Sequence, residues 1–214
     1  MNEHLVITLQ STVDLIASTL DTNPSAWRDH LQPIRDITAS LEFLDTAPDD
    51  SRKQWQLPLI RVFQRVSFTD ADNGGVPDIA DWCLRQSLTL LQLYPEDFGL
   101  LTLIGRNWLS RAQKSLAKIH QAERDSSSSG GSLGQPLSRS EEQQMAARAA
   151  VEAEDRLHTA DYVEARGILL PATEYLKRSV DGATVQSQLT GGLLATVSHI
   201  HPASRTDLTN NAGC

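Results

Sequence analysis

Tyr94-Pro95-Glu96-Asp97-Phe98-Gly99-Leu100-Leu101-Thr102-Leu103-Ile104-Gly105-Arg106-Asn107-Trp108-Leu109 is the stretch that decides the fold. Pro95 closes one helical pattern, since proline lacks an amide hydrogen and crowds the preceding turn. A second pattern opens at once, and Glu96 and Asp97 favour a helix N-terminus. Leu101, Ile104, Gly105 and Trp108 then fall on successive turns. Bulky apolar side chains beside a glycine suit close packing of helix on helix. The stretch predicts an all-α chain of antiparallel helical hairpins, an architecture for binding rather than catalysis.

Working towards the N-terminus, amphipathic helices follow one another. Leu5, Leu9, Val13, Ile16 and Leu20 recur at helical spacing. Asn23 is placed to cap the next helix, with Pro24 at its first position. Trp27, Leu31, Ile34, Ile37, Leu41 and Leu44 form that helix's stripe, and Pro33 should kink it or shift its start. A third helix carries Trp55, Leu59, Val62, Phe63 and Val66, with Pro58 expected near its first turns. Asp70 to Gly75 reads as a flexible loop by composition. A fourth helix runs from Pro77 to Tyr94 on Trp82, Leu84, Leu88 and Leu91.

Working towards the C-terminus, Leu101, Ile104, Trp108, Ala112, Leu116 and Ile119 allow one long helix from Glu96 to about Glu123. Residues 125–137 are then Ser- and Gly-rich and cannot bury apolar area, so a disordered linker is expected. Its serines are accessible to phosphorylation on the same reading. Ser138 and Glu141 fit a capping box. The helix beyond holds Met145, Ala149, Ala153 and Leu157. Thr159 to Asp161 reads as a turn, and Tyr162, Ala165, Leu169, Ala172 and Leu176 as another helix, bent at Pro171. A weak final helix uses Val185, Leu189, Leu193, Val197 and Ile200. The expected organisation is a helical part over 1–124, the linker over 125–137, a second helical part over 138–200 packing on the same domain, and a flexible tail over 201–214.

Composition agrees with this reading. The 214 residues are 40% hydrophobic but only 5% aromatic, so Leu, Ile, Val and Ala must build the core. The formal charge of -8 argues against direct nucleic-acid binding, which rests mostly on positive charge. Cys83 and Cys214 make no disulfide framework, and the expectation is a buried thiol and a free one. No signal peptide is readable at the N-terminus, and no apolar run would span a bilayer. The expected location is cytoplasmic, nuclear or both.

Two places resemble tetratricopeptide-repeat units, which pair helices around W-x2-L-G-x2-Y and A-x3-F spacings. Leu101-x2-Ile104-Gly105-x2-Trp108 is similar to the first half, with Ala117 at the small position of the second helix and Pro95 ending the preceding unit. Tyr162-x2-Ala165-x3-Leu169-x2-Ala172 resembles the second helix of another unit, whose first helix would carry Ala153. The likeness covers about 95–124 and 141–180. It implies a short α-solenoid or an irregular bundle, with these residues in packing roles. It also implies that Arg106 and Asn107 line a concave face and meet a partner peptide.

Chemistry is sparse. His199-x-His201 lacks further ligands for a metal, and no cofactor motif surrounds Gly74-Gly75 or Gly130-Gly131. Glu152, Glu154 and Asp155 read as a solvated helix face rather than acid–base pairs. Trp27, Trp55, Trp82 and Trp108 read as core before hot spots. The expected function is a non-catalytic adaptor, scaffold or complex subunit that binds a protein partner without metal or cofactor. The alternatives are an enzyme on a helical bundle and peripheral membrane attachment through the first helix.

Overall fold

The computed structural model describes residues 3–42, 50–128, 139–185 and 191–198, and among them every regular element is helical. The helices are α1 (Glu3–Thr22), α2 (Leu31–Glu42), α3 (Asp50–Ser67), α4 (Pro77–Leu93), α5 (Phe98–Ser128), α6 (Arg139–Leu157), α7 (Ala160–Val185) and α8 (Gly191–Ser198). The helical pattern breaks at Pro24 and Pro95 as the sequence predicts, but Asn23 makes no side-chain capping hydrogen bond to the backbone, its Oδ1 accepting from the Ser25 hydroxyl instead. Asn23 and Pro24 open a 3-10 segment, Pro24–His30, and the α-helix proper starts at Leu31, so Pro33 sits in its first turn. Pro95 separates α4 from α5.

α1 buries Leu9, Val13, Ile16 and Leu20 and packs on α3. Four of the five residues of its predicted stripe are therefore taken up by the core, and Leu5 is half-buried. α3 and α4 pack on each other, with Phe63 and Trp82 ring centroids 5.8 Å apart. Ile34, Leu59, Ile60, Ile79, Leu90 and Leu100 join them in one apolar cluster. Of the four tryptophans, Trp55 and Trp82 are core residues and Trp27 and Trp108 are half-buried.

Several local expectations change. Pro58 lies in the interior of α3, and its ring is on the exposed side of the helix. The buried face of α4 is Ile79, Cys83, Ser87 and Leu90 with Trp82, one position round from the Leu84-Leu88-Leu91 stripe, which is half-buried. Asp70 to Gly75 is a tight turn rather than a loose loop. Ala71–Asn73 is one 3-10 turn, and Gly74 and Gly75 take φ of 99° and 64°. A Cβ on Gly75 would lie 2.4 Å from the Ser67 carbonyl oxygen, so only glycine fits. This turn packs against α5, where the Lys114 stem runs beside Gly74.

α5 is the central element. It is one unbroken helix over Phe98–Ser128, so the hairpin that the repeat resemblance implies between Leu109 and Ala117 is not formed. The helix also continues past residue 124 into the stretch expected to be linker. Asp97 caps it, its Oδ1 accepting from the Leu100 amide at 2.8 Å. One side of α5 faces α4 and α3, and the other carries α7 in an antiparallel pair. Pairs along that seam fix its direction: Ser179 with Phe98, Ser179 with Thr102, Glu164 with Ser115 and Tyr162 with Glu123. α7 runs on through Pro171 as one helix.

α6 leaves Met145 and Leu157 exposed, and it touches α7 only sparingly. Glu152, Glu154 and Asp155 are also exposed there, as a solvated face requires. α8 is shorter than its predicted stripe. Leu193 is buried in it, Val185 ends α7 in solvent, and Leu189 and Ile200 lie outside the described residues. So do Leu44, Ser138, His199, His201, Cys214, most of the 125–137 stretch and the 201–214 tail.

Candidate functional site

Residues 61–68 at the end of α3, the first half of α5 and α8 line one concavity. The result is a groove with a cavity volume of about 890 Å³. Its walls carry Arg61 and Arg65, one helical turn apart on α3, and Arg106 on α5. Its apolar surface comes from Phe68, Phe98, Leu103, Leu109 and Leu193. The lining contains no carboxylate, imidazole or thiol among the described residues. In a chain of net charge -8, this is a local inversion of charge.

The three arginines are not equivalent. Arg65 donates to Asp21 of α1 at 2.6 Å, across exposed surface. Arg106 donates from Nε and Nη2 to the Thr196 hydroxyl at 3.2 and 2.9 Å, which ties the groove wall to α8. Arg61 has no hydrogen-bond or ion-pair partner among the described residues. Its guanidinium passes close to Gly99, where a Cβ would meet Nη2 at 3.2 Å. Asp97, beside it, is already engaged by the Leu100 amide and by Lys53. Lys53 also sits 5.1 Å from the centroid of the Tyr94 ring, and with Arg61 it lines a shallower depression that continues the groove.

Behind the groove a buried polar network sets the spacing of its walls. Gln64 donates to the Leu103 carbonyl at 3.0 Å, joining α3 to α5. Asn107 donates to Gln64 Oε1 and to the Ala80 carbonyl, both at 3.1 Å. It accepts from Arg111 Nε at 2.7 Å, and Arg111 reaches Asp81 at 2.6 Å. Every polar atom of the Asn107 amide is thereby satisfied, as burial demands.

Arg106 and Asn107, adjacent in sequence, thus separate in space. Arg106 is exposed in the groove, whereas Asn107 is wholly buried and binds helix to helix, so it presents nothing to a partner. The packing residues lie where packing requires. Leu101, Ile104, Gly105, Ala165 and Ala172 are buried, while Trp108, Ala117, Tyr162 and Leu169 are half-buried. The Arg111 guanidinium lies 5.7 Å from the Trp108 ring centroid. Tyr162 donates to Glu123 at 2.6 Å, and that hydrogen bond holds its phenol above the ordinary pKa. Arg61 and Arg65 escaped the sequence reading. The signal was present as an Arg-x3-Arg pair on the polar flank of α3, but nothing in sequence says that α5 faces it.

Cys83 is buried, with Sγ 3.8 Å from the Ile60 carbonyl, and burial raises its thiol pKa well above the usual range. Among the described residues no group of three or more His, Cys, Asp or Glu could hold a metal ion. Among them, too, no helix is long and apolar enough to cross a membrane. No family model, curated protein or solved structure matches the chain.

Proposed function

We propose that this all-α chain is a non-catalytic protein-interaction module, an adaptor or complex subunit that receives a segment of a partner in the α3–α5 groove. The single observation that carries the reading is the groove itself: three arginines and an apolar lining, where the hydroxyls of Thr102, Ser110 and Thr196 have no carboxylate, imidazole or thiol beside them in the lining among the described residues to act as a base. Pockets of this size with an apolar bed and a few placed polar groups are the ordinary form of a binding site. The antiparallel α5–α7 pair supports a stacked-hairpin architecture, in the manner of helical repeats, as the frame for such a groove. The α3 and α5 walls are held by the buried Gln64 and Asn107 hydrogen bonds, so a partner would lose little affinity to ordering of those two helices.

The test is reconstitution. A partner captured by the intact chain is identified, purified and mixed with wild-type chain and with Arg61→Glu. A stoichiometric complex with wild type that Arg61→Glu abolishes supports the reading, provided circular dichroism shows the variant folded. A complex that forms equally well with the variant places the partner elsewhere and counts against this groove.

A further inference from the structure

Resting on that reading, we propose that the groove's occupant is an acidic segment of a partner protein, with apolar side chains seated between carboxylates. The charge pattern carries this. Arg61 and Arg65 stand one turn apart on α3, and Arg106 faces them from α5. Arg65 is paired with Asp21 and Arg106 is held by Thr196, whereas Arg61 has no hydrogen-bond or ion-pair partner among the described residues, so Arg61 is the cation left for a ligand. A guanidinium presents a planar fork that matches a carboxylate, and such charge-assisted bonds are the strong ones.

The arrangement of apolar groups narrows the class further. Leu103, Leu109, Phe68 and Phe98 line the same groove as the arginines, where aliphatic or aromatic anchors of a peptide would be desolvated. A flat bilayer cannot enter a concave site walled by three helices. A nucleic acid would meet three arginines and then an acidic molecule, since the whole chain carries -8. A net charge of -8 repels a long polyanion more than a short carboxylate-bearing segment, which carries fewer charges and keeps its local pairing.

α8 already occupies one edge of the site. Leu193 is buried there and Thr196 takes two hydrogen bonds from Arg106. A carboxylate is a stronger acceptor for Arg106 than the Thr196 hydroxyl. The acidic segment lies beside α8 along α3, pairs with Arg61, and adds a carboxylate acceptor within reach of Arg106.

The experiment uses the full chain with two short fluorescein-labelled peptides. Both have leucines at helical spacing, and the remaining positions are glutamate in one and glutamine in the other. Anisotropy gives affinity, and amide NMR shifts give the site. The expected result is that the glutamate peptide binds more tightly and shifts amides of α3, the first half of α5 and α8. Its affinity should fall with added salt. Arg61→Gln should weaken it by about fivefold to tenfold, the weight of one charge-assisted bond. Arg166→Gln, an exposed change on α7 away from the groove, should leave affinity unaltered.

Equal binding of the glutamine peptide in the groove overturns the acidic occupant while leaving the docking site intact. Shifts confined to another surface, or no shifts with either peptide, overturn the acidic occupant, and the reconstitution with captured partner then judges the docking reading separately. Tighter groove binding by a single-stranded oligonucleotide than by the glutamate peptide also overturns it.

Discussion

Gly105 of α5 and Leu176 of α7 meet so closely that a Cβ on Gly105 would fall 2.5 Å from Leu176 Cγ and 3.2 Å from its amide nitrogen. The two helix axes approach here because position 105 has no side chain. Leu176 fills the resulting notch and is itself buried. This contact anchors the second half of the molecule to the first, since α7 makes most of its contacts with α5.

Gly105→Ala should therefore destabilise the fold, although alanine is the better helix former by about 1 kcal/mol. Overpacking of a tight helix contact costs about 1–3 kcal/mol and outweighs that gain. Leu176→Ala should cost about 2–5 kcal/mol through its cavity. The double variant should cost less than the two single losses together, because the added methyl enters the space that Leu176 vacates. Urea unfolding of the four proteins measures the coupling, and strict additivity would show that the two residues do not act as a pair.

That contact also marks how far the sequence was legible. Gly105 stands out because glycine among Leu101, Ile104 and Trp108 has no reason on a helix face except close approach. The partner helix could not be read the same way. The repeat spacing points to a hairpin near Leu109, but no glycine or proline breaks the chain there, and helix formation continues from Phe98 to Ser128. Helical periodicity is local, whereas the groove is lined by residues of α3, α5 and α8 that are far apart in sequence. Arg106 is on the groove and Asn107 behind it because neighbours on a helix point about 100° apart, and only the packing of α4 decides which one is buried.

Asn107→Leu should be costly despite its apolar replacement. It strands the Gln64 and Arg111 side chains and the Ala80 carbonyl in buried or half-buried surroundings. Each unsatisfied buried polar group costs about 1–3 kcal/mol. Adding Gln64→Leu removes one stranded partner and should recover part of the loss, by the logic of emptying a network rather than halving it. Thermal unfolding by circular dichroism checks the order: wild type above the double variant, and the double variant above Asn107→Leu.

Cys83 should be chemically silent in the native protein. Burial holds it as the thiol, and reaction requires the thiolate and access. Modification by iodoacetamide, followed by mass spectrometry of the peptide that contains Cys83, should track unfolding as urea is raised. Rapid labelling without denaturant would mean that the α3–α4 contact opens far more readily than its packing implies.

Arg35 and Asp78 join α2 to the first turn of α4, with Nε to Oδ2 at 2.6 Å and Nη2 to Oδ1 at 3.3 Å. The Arg35 hydrogen bond holds the Asp78 carboxyl below its ordinary pKa, with burial opposing in part. A lowered folded pKa makes the contribution present above the unfolded value of about 4 and lost as pH falls through the folded one. Both side chains are well exposed, so the pair should be worth no more than about 1 kcal/mol. Asp78→Asn should flatten the stability profile of the protein only below about pH 4. An equal loss of slope near neutral pH would contradict the assignment.

α8 should be the least firmly held part of the groove. Leu193 is its one buried side chain among those described, and burying a leucine contributes about 1.5–3 kcal/mol. Leu193→Asp puts a charge where that apolar contact was, next to a bed of aromatic and aliphatic groups. Desolvation disfavours the charge, so α8 should lift away rather than drag the core apart. Hydrogen exchange of residues 191–198 should accelerate at least about tenfold, the rate equivalent of about 1.4 kcal/mol, while α3 and α5 stay protected. Ending the chain at Val185 should likewise raise binding of an apolar dye by uncovering Phe98 and Leu103. Unchanged exchange in 191–198 would show that α8 is held by something other than Leu193 and the Arg106–Thr196 bond.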